Sequence, residues 1–401
     1  MDPIRNPYLA GAGVQPPELA GRAELLERAR ILLERTRAGR PSKSFIGVGL
    51  RGVGKTVLLN RIRELAEARE FRTCSIEAHE QKRLPDLLVP HVRRILLDLD
   101  RMGAVSERAR RGLRVLKSFL NGIKLRYGEA ELSLDIEPEA GAADSGDVEA
   151  DLPELLLALG RAAQDRKTAV ALFMDEIQYL KEVELSALIM GIHRTVQESL
   201  PVVLVAAGLP QVVGLSGRSK SYAERLFDFP PVGALAPPDA RRALQEPARQ
   251  EQVVFEDAAL DHILAVTQGY PFFIQEWGYA TWNEAASSTI RLADAQAADA
   301  IALQRLDESF FRVRLDRLTP REREYLRAMA ELGPGPHRSG DIADMLGVKV
   351  QSVGPMRAQL IGKGMVYSPA HGDTAFTVPL FDEFMRRTMP RFAPRSGLPE
   401  D

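Results

Sequence analysis

The eight residues Gly49-Leu50-Arg51-Gly52-Val53-Gly54-Lys55-Thr56 constrain this chain more than any other stretch. The apolar run SFIGVGL (44–50) leads into them and reads as a buried strand, and TVLLNRIRELAEA continues from them at helical periodicity. A strand, a glycine-bearing turn and a helix in that order aim main-chain amides and a helix N-terminus at one point, which favours a phosphate. Glycine keeps side chains out of that approach. In such a loop the Lys55 ammonium reaches the β- and γ-phosphates and the Thr56 hydroxyl is placed for Mg²⁺. The segment from Gly49 through Arg51, Gly52, Val53, Gly54, Lys55 and Thr56 to Val57 is therefore the expected nucleotide cradle, with ATP or ADP and Mg²⁺ as its ligands. Arg51 has no separate role that the pattern assigns.

A phosphate loop of this spacing needs an acid for the metal. The run Ala169-Val170-Ala171-Leu172-Phe173-Met174-Asp175-Glu176 supplies one at the end of a second buried strand. Asp175 is placed to hold Mg²⁺ through water, and Glu176 to polarise an attacking water as general base. Gln178, just beyond, is a further group that could orient that water. Taken alone, the run also fits a strand that merely ends in two solvated acids.

Other strands read at FRTCSIEA (71–78) and LPVVLVAAGLP (200–210), with helices between them, so the sheet is expected to be parallel with both faces covered. A helix fits Ala23 to about Arg37. Residues 84–102 read as a helix interrupted at Pro90. Residues 103–150 read as an insertion: a basic helix, alternating residues over 124–138 that suggest a hairpin, and an acidic loop. From about Ala236 strands are no longer evident and a helical lid follows, in which Trp277 and Trp282 read as packing residues. Near the C-terminus LTPREREYLRAMAEL opens with Thr319 as N-cap, Pro320 at N1 and Glu322 at N3. SGDIADMLG then reads as a helix capped by Ser339 and stopped by Gly347. SVGPMRAQLIGKG reads as a third helix with Pro355 in its first turn, and MVYSPAHGDTAFTV as a hairpin. Three helices and a hairpin make a winged helix-turn-helix. The fold class is α/β, a P-loop parallel sheet with a helical lid and a C-terminal winged helix: 1–235 core, 236–315 lid, 316–392 winged helix, 393–401 tail.

Composition narrows the partners. With 401 residues and a net charge of −2, no global signal favours nucleic acid or membrane, so any DNA-binding face must be local. The single cysteine, Cys74, excludes an intrachain disulfide and lies in an apolar strand. No apolar run is long enough to span a bilayer, and a cytoplasmic protein is expected. Histidines fall at no metal-ligand spacing. For duplex DNA the candidate contacts are Lys349, Gln351, Ser352, Arg357, Gln359 and Lys363 on the third helix, with His371 in the wing. A winged helix that contacts protein is the alternative. The basic run from Arg108 to Lys117 is a second possible DNA surface, or simply a solvated helix face.

These motifs, in this order, resemble the AAA+/STAND branch of P-loop ATPases, and within it the origin-recognition-type and archaeal-type ATPases that end in a winged helix. Leu19-Ala20-Gly21-Arg22-Ala23-Glu24-Leu25 is similar to the family's "hhGR-x-E-L" segment, which implies that Gly21 and Arg22 border the adenine. Gly269-Tyr270-Pro271 resembles the G-x-P motif of STAND proteins, which implies that Tyr270 and Pro271 lie beside base and sugar. Ser221 to Phe227 is similar to the segment that carries an arginine acting on a neighbour's nucleotide. By that resemblance Arg225 is the finger, with self-assembly completing the site. Arg218 is the other candidate, and a surface pairing of Arg225 with Glu224 or Asp228 is the bland reading. The chain departs from the family twice. The strand at 200–210 ends Ala206-Ala207-Gly208-Leu209-Pro210 with no polar sensor residue, and Phe-Phe-Ile-Gln-Glu-Trp follows Pro271 with no sensor arginine. Both departures remove groups that would stabilise charge on the γ-phosphate, so the resemblance implies a slow ATPase that works as a nucleotide-dependent switch.

Overall fold

The computed structural model describes residues 1–9, 11, 13–102, 106–123, 136–370 and 372–392. Most of the expected hairpin at 124–138, and His371, lie outside the described residues. The backbone divides into two compact units, one of Arg22–Gly49 with Lys55–Val232, the other of Met1–Gly21, Leu50–Gly54 and Gly233–Asp401.

The first unit is built on β1 (Ser44–Val48), β2 (Arg72–Glu77), β3 (Val170–Asp175), β4 (Val202–Gly208) and β5 (Phe227–Asp228). They pair in the order β2-β3-β4-β1-β5, every neighbour parallel. Leu172 lies between Cys74 and Leu204, and Phe45 lies opposite Val205. Every residue of β4 is buried, which is why it reads as an unbroken apolar run rather than an alternating one. The helices are α1 (Ala23–Arg37), α2 (Lys55–Glu67), α3 (Leu84–Arg101), α4 (Glu107–Gly122), α5 (Val148–Asp165), α6 (Glu182–Gln197), α7 (Gln211–Ser219) and α8 (Ala223–Leu226).

Helix α3 runs unbroken through Pro90, contrary to the sequence reading. Its apolar stripe of Leu84, Leu88, Val92, Ile95, Leu96 and Leu99 is fully buried, and burying each such side chain is worth about 1.5–3 kcal/mol, enough to outweigh one lost helical hydrogen bond at an exposed proline. Helix α4, the basic run, sets Leu113, Leu116 and Phe119 into the same core. Its arginines meet acids: Arg114 lies 2.8 Å from both Glu107 and Glu139, Arg111 is 3.1 Å from Glu139, and Arg110 is 3.5 Å from Asp100. Cys74 is buried in β2, and burial pushes its thiol up to about 12.

The second unit begins with a bundle of α9 (Pro237–Gln250), α10 (Asp257–Thr267), α11 (Pro271–Glu284) and α12 (Leu292–Arg305). Strands do not end at Ala236, because β6 (Val254–Phe255) and β7 (Thr289–Ile290) pair in parallel. The N-terminal arm packs on this bundle, with Tyr8 buried, its hydroxyl donating to the Leu244 carbonyl, and the Trp282 indole N–H donating to Asp2 at 2.9 Å. A π-helical turn at Leu306–Phe311 and α13 (Arg312–Leu315) lead to the last segment.

That segment contains α14 (Pro320–Glu331), β8 (His337–Arg338), α15 (Ser339–Leu346), α16 (Val350–Gly362), β9 (Val366–Tyr367), β10 (Asp373–Phe376) and α17 (Phe381–Thr388). The hairpin gains a third strand, giving the antiparallel order β8-β10-β9 of a winged helix. The Thr319–Glu322 capping box forms as expected. Ser339 does not cap: it is the first helical residue, and its hydroxyl donates to the Gly372 carbonyl at 3.2 Å. Helix α16 starts two residues earlier than the sequence suggests, so Pro355 falls in its second turn, on an exposed side where water can serve the carbonyl it leaves unpaired.

Gly269 is the tightest backbone site of the lid. Its φ is +72°, and an added Cβ would sit 2.5 Å from the Leu235 carbonyl oxygen, while its own carbonyl accepts the Leu235 N–H at 2.8 Å. Left-handed strain and a backbone clash therefore act together in Gly269→Ala. A loss of roughly 2 kcal/mol or more is expected. Urea unfolding followed by the fluorescence of Trp277 and Trp282, both in this unit, reads it directly.

Candidate nucleotide site

Strand β1 delivers the first glycine of the loop. The Gly49 N–H donates to the Gly208 carbonyl at the end of β4, 3.1 Å away. Lys55 opens α2 and is only 6% exposed. Thr56 follows, and its hydroxyl donates to Asp175 Oδ2 at 2.5 Å. Because β4 lies between β1 and β3, the loop and the two acids emerge one strand apart, roughly 10 Å across at the usual strand spacing, on the same edge of a parallel sheet.

Asp175 is the last residue of β3. Burial raises its carboxyl above the usual range; the Thr56 hydrogen bond opposes this and the neighbouring Glu176 charge adds to it. Glu176 sits in the left-handed region, φ 52° and ψ 36°, with its N–H donating to Asp175 Oδ1 at 2.8 Å. That backbone turn, uncommon away from glycine, ends the extended run of β3. Gln178 is 9% exposed, and its carboxamide donates to Glu176 Oε2 and accepts the Leu209 N–H at 3.0 Å. The apolar end of β4 is thus supplied with a polar side chain from elsewhere, which periodicity could not reveal.

A half-buried carboxyl and a hydroxyl held together are hard oxygen donors that suit Mg²⁺, an ion that takes one or two protein carboxylates and completes its shell with phosphate and water. Among the described residues no group of three or more His, Cys, Asp or Glu is gathered for a metal.

The tip of the loop is organised within the second unit. The Phe272 N–H, one of the first amides of α11, donates to the Gly52 carbonyl at 3.2 Å. The Arg51 N–H donates to the Thr377 carbonyl at 3.2 Å, and Arg51 Nε to the Gly364 carbonyl at 3.3 Å. Val53 is buried, and Gly52 and Gly54 have φ of 81° and 86°. Tyr270 is buried against Phe273 at 5.5 Å, with Pro271 starting α11. Gly21 lies beside Leu235 and Asp239 in this unit, whereas Arg22, 7% exposed, belongs to the first unit and heads α1.

The remaining candidates fall on α7, α8 and the winged helix. Arg225 is exposed on α8, and among the described residues it forms no ion pair; Asp228 lies instead 3.8 Å from Arg28. Arg218 is exposed on α7. On the winged helix Lys349, Gln351, Ser352 and Gln359 are exposed. Arg357 is turned inward, donating at 2.7 Å to Thr374 Oγ1, Ser368 Oγ and the Asp373 carbonyl. Lys363 pairs with the buried Glu322 at 2.8 Å. Among the described residues no helix is long and apolar enough to cross a membrane.

The raised Asp175 carboxyl makes a stability prediction. The folded chain holds that proton more tightly than the unfolded chain. The cost of the buried charge is therefore absent below the unfolded pKa and fully present above the folded one. Asp175→Asn keeps an acceptor for Thr56 without the charge. In the nucleotide-free protein it should raise the melting temperature at neutral pH, with the gain shrinking as pH falls into the carboxylate range. A pH series of thermal melts checks this.

Comparison with known proteins agrees with the geometry. Residues 18–205 match the family model described as AAA ATPase domain, and residues 308–385 match one described as a domain of unknown function (DUF8462). No curated protein matches the chain. Among solved structures, the Walker-type ATPase of Pyrococcus abyssi is 17% identical, with 93% of this chain and 97% of that one covered at a TM-score of 0.54. The RuvB Holliday junction branch migration motor of Thermotoga maritima is 15% identical over 96% and 100% at 0.45. The Aeropyrum pernix Orc1 protein in complex with DNA is 17% identical over 93% and 94% at 0.45. Of the three only the first exceeds 0.5, and its likeness is one of fold. With the phosphate loop after β1, the acid pair after β3 and β4 between them, residues 18–205 of this chain form an AAA ATPase domain.

Proposed function

We propose that the chain is an ATP-binding, slowly hydrolysing ATPase that works as a nucleotide-dependent switch, with the winged helix as its output. The observation that carries this is the attachment of the phosphate-loop residue Arg51 to the winged helix, through its N–H to Thr377 and its Nε to Gly364. A second route runs from Gly52 to Phe272, which stacks on Phe310 at 4.5 Å; Phe310 meets Phe311, which meets Phe381 and Phe384 at 5.7 and 5.2 Å. A nucleotide that reshapes the loop tip would change the free energy of both links. It can shift the winged helix only by the difference in its affinity for the two arrangements.

In the hydrolytic step Lys55 would hold the β- and γ-phosphates and Glu176 would take the proton of the attacking water. Thr56 and Asp175 would hold Mg²⁺, which when bound neutralises charge on the phosphates. Neither the end of β4 nor the residues after Pro271 place a cation or hydroxyl of their own at the γ-phosphate, which supports slow turnover. Arg225, exposed and outside any ion pair among the described residues, is suited to complete a neighbouring subunit's site.

Duplex DNA as the partner is supported by exposed Lys349, Gln351 and Ser352 at the start of α16. The inward engagement of Arg357 and Lys363 favours a second reading, in which the winged helix contacts a protein.

ATPase rate against protein concentration, with and without duplex DNA, tests the enzyme. Turnover should be at or below about 1 s⁻¹, the slow end of the usual range, and should rise with concentration. Glu176→Gln should lower it at least ~100-fold and Arg225→Ala should remove the concentration dependence. A fast, concentration-independent rate would sink the assembly model. Hydrogen exchange tests the switch: amides of 364–377 should exchange differently with ATP and with ADP, and Arg51→Ala should speed their exchange about fivefold, the worth of one hydrogen bond near 1 kcal/mol. Identical exchange in both nucleotides would leave no switch.

A further inference from the structure

Gln178 lies in no phosphate-loop or acid-strand motif, yet it is a buried polar side chain set between Glu176 and the end of β4. Its carboxamide orientation is fixed from both ends. The Leu209 N–H can only donate and the Glu176 carboxylate accepts, so Oε1 faces Leu209 and Nε2 faces Glu176. The bonds continue on either side. Gly208, next to Leu209, accepts the Gly49 N–H at 3.1 Å, and Glu176 follows Asp175, which accepts the Thr56 hydroxyl at 2.5 Å. A single network thus runs from the first glycine of the phosphate loop to its last threonine, and Gln178 is the side chain that closes it.

Gly208 makes room for this arrangement. A Cβ there would lie 2.9 Å from Gln178 Oε1 and 2.9 Å from Ile177 Cγ2. A strand ending in a polar sensor side chain at that position would collide with the carboxamide. The bare end of β4 and the buried glutamine are therefore two parts of one solution.

We infer that Gln178 is a positioning residue for hydrolysis: its carboxamide ties the Glu176 carboxylate to the end of β4 and supplies there the polar group that the strand lacks. The inference rests on the ATPase reading. Glu176 has a left-handed backbone and a flexible side chain, and holding a general base in one orientation lowers the reorganisation required as the water attacks.

The test is Gln178→Met, which keeps length and bulk and loses both hydrogen bonds, beside Gln178→Ala. Nucleotide affinity is measured directly with a fluorescent ADP analogue, and kcat and KM with ATP. Gln178→Met should bind ADP within about twofold of wild type, keep KM, and lose about tenfold in kcat. Because Gln178 acts through Glu176, adding Gln178→Met to Glu176→Gln should cost no further single-turnover rate. Wild-type kcat in Gln178→Met with affinity retained would overturn the inference. So would the same tenfold loss on the Glu176→Gln background, which would mark a merely structural part. If wild type binds ADP but hydrolyses ATP no faster than Lys55→Ala, the ATPase reading itself fails, and the positioning role falls with it.

Discussion

The end of β4 is where the separate pieces of the nucleotide site are held in register. Gly208 accepts the first amide of the phosphate loop, and Leu209 donates to the glutamine that grips Glu176. Neither contact involves a charged group of β4. The strand does its work with main-chain atoms, and it can do so because it is buried along its whole length between β1 and β3. Its unbroken apolar run fixes its place in the sheet, and the sheet order fixes which loop ends meet. The chemistry of the loop and of the acids is thus subordinate to a packing constraint in a strand that carries no chemistry itself.

Charge in the same place runs against stability. Asp175 is an acid whose burial raises its carboxyl, relieved in part by one hydroxyl. Such a group is a standing cost in the empty protein. A cation brought in with a nucleotide would offset that cost. The left-handed backbone of Glu176 is a second cost held at the same strand end.

Much of this was legible from residues alone. The parallel sheet, the phosphate loop, the acid pair, the lid and the three helices of the winged unit announce themselves through apolar runs, caps and turn residues. What escaped was short or long-range. Strands β5, β6, β7 and β8 have two residues each, too few for any period, and they exist because a partner chain segment is present. Pro90 read as a break because local rules know nothing of the buried stripe that carries α3 through it. Arg357 and Lys363 sit at helix positions that suit a groove in DNA, but their acceptors are 17 and 41 residues away in sequence and next to them in space: Thr374 for one, Glu322 for the other. Arg51 had no legible role, since its partners at Gly364 and Thr377 belong to another part of the chain.

The inward cations bear on how the winged helix works. A guanidinium that makes three hydrogen bonds to its own wing stiffens the junction of α16 with β10, and an ammonium on a buried glutamate ties α16 to the start of α14. Freeing either to reach a phosphate would leave a buried partner, Thr374 or Glu322, without its cation, at roughly 1–3 kcal/mol for each group abandoned. The same unit is fastened at Gly364 and Thr377, the two ends of the hairpin, to Arg51. A wing stiffened from within and attached at both ends of its hairpin to Arg51 is the contact through which the proposed switch would have to act, whichever kind of partner meets the exposed start of α16.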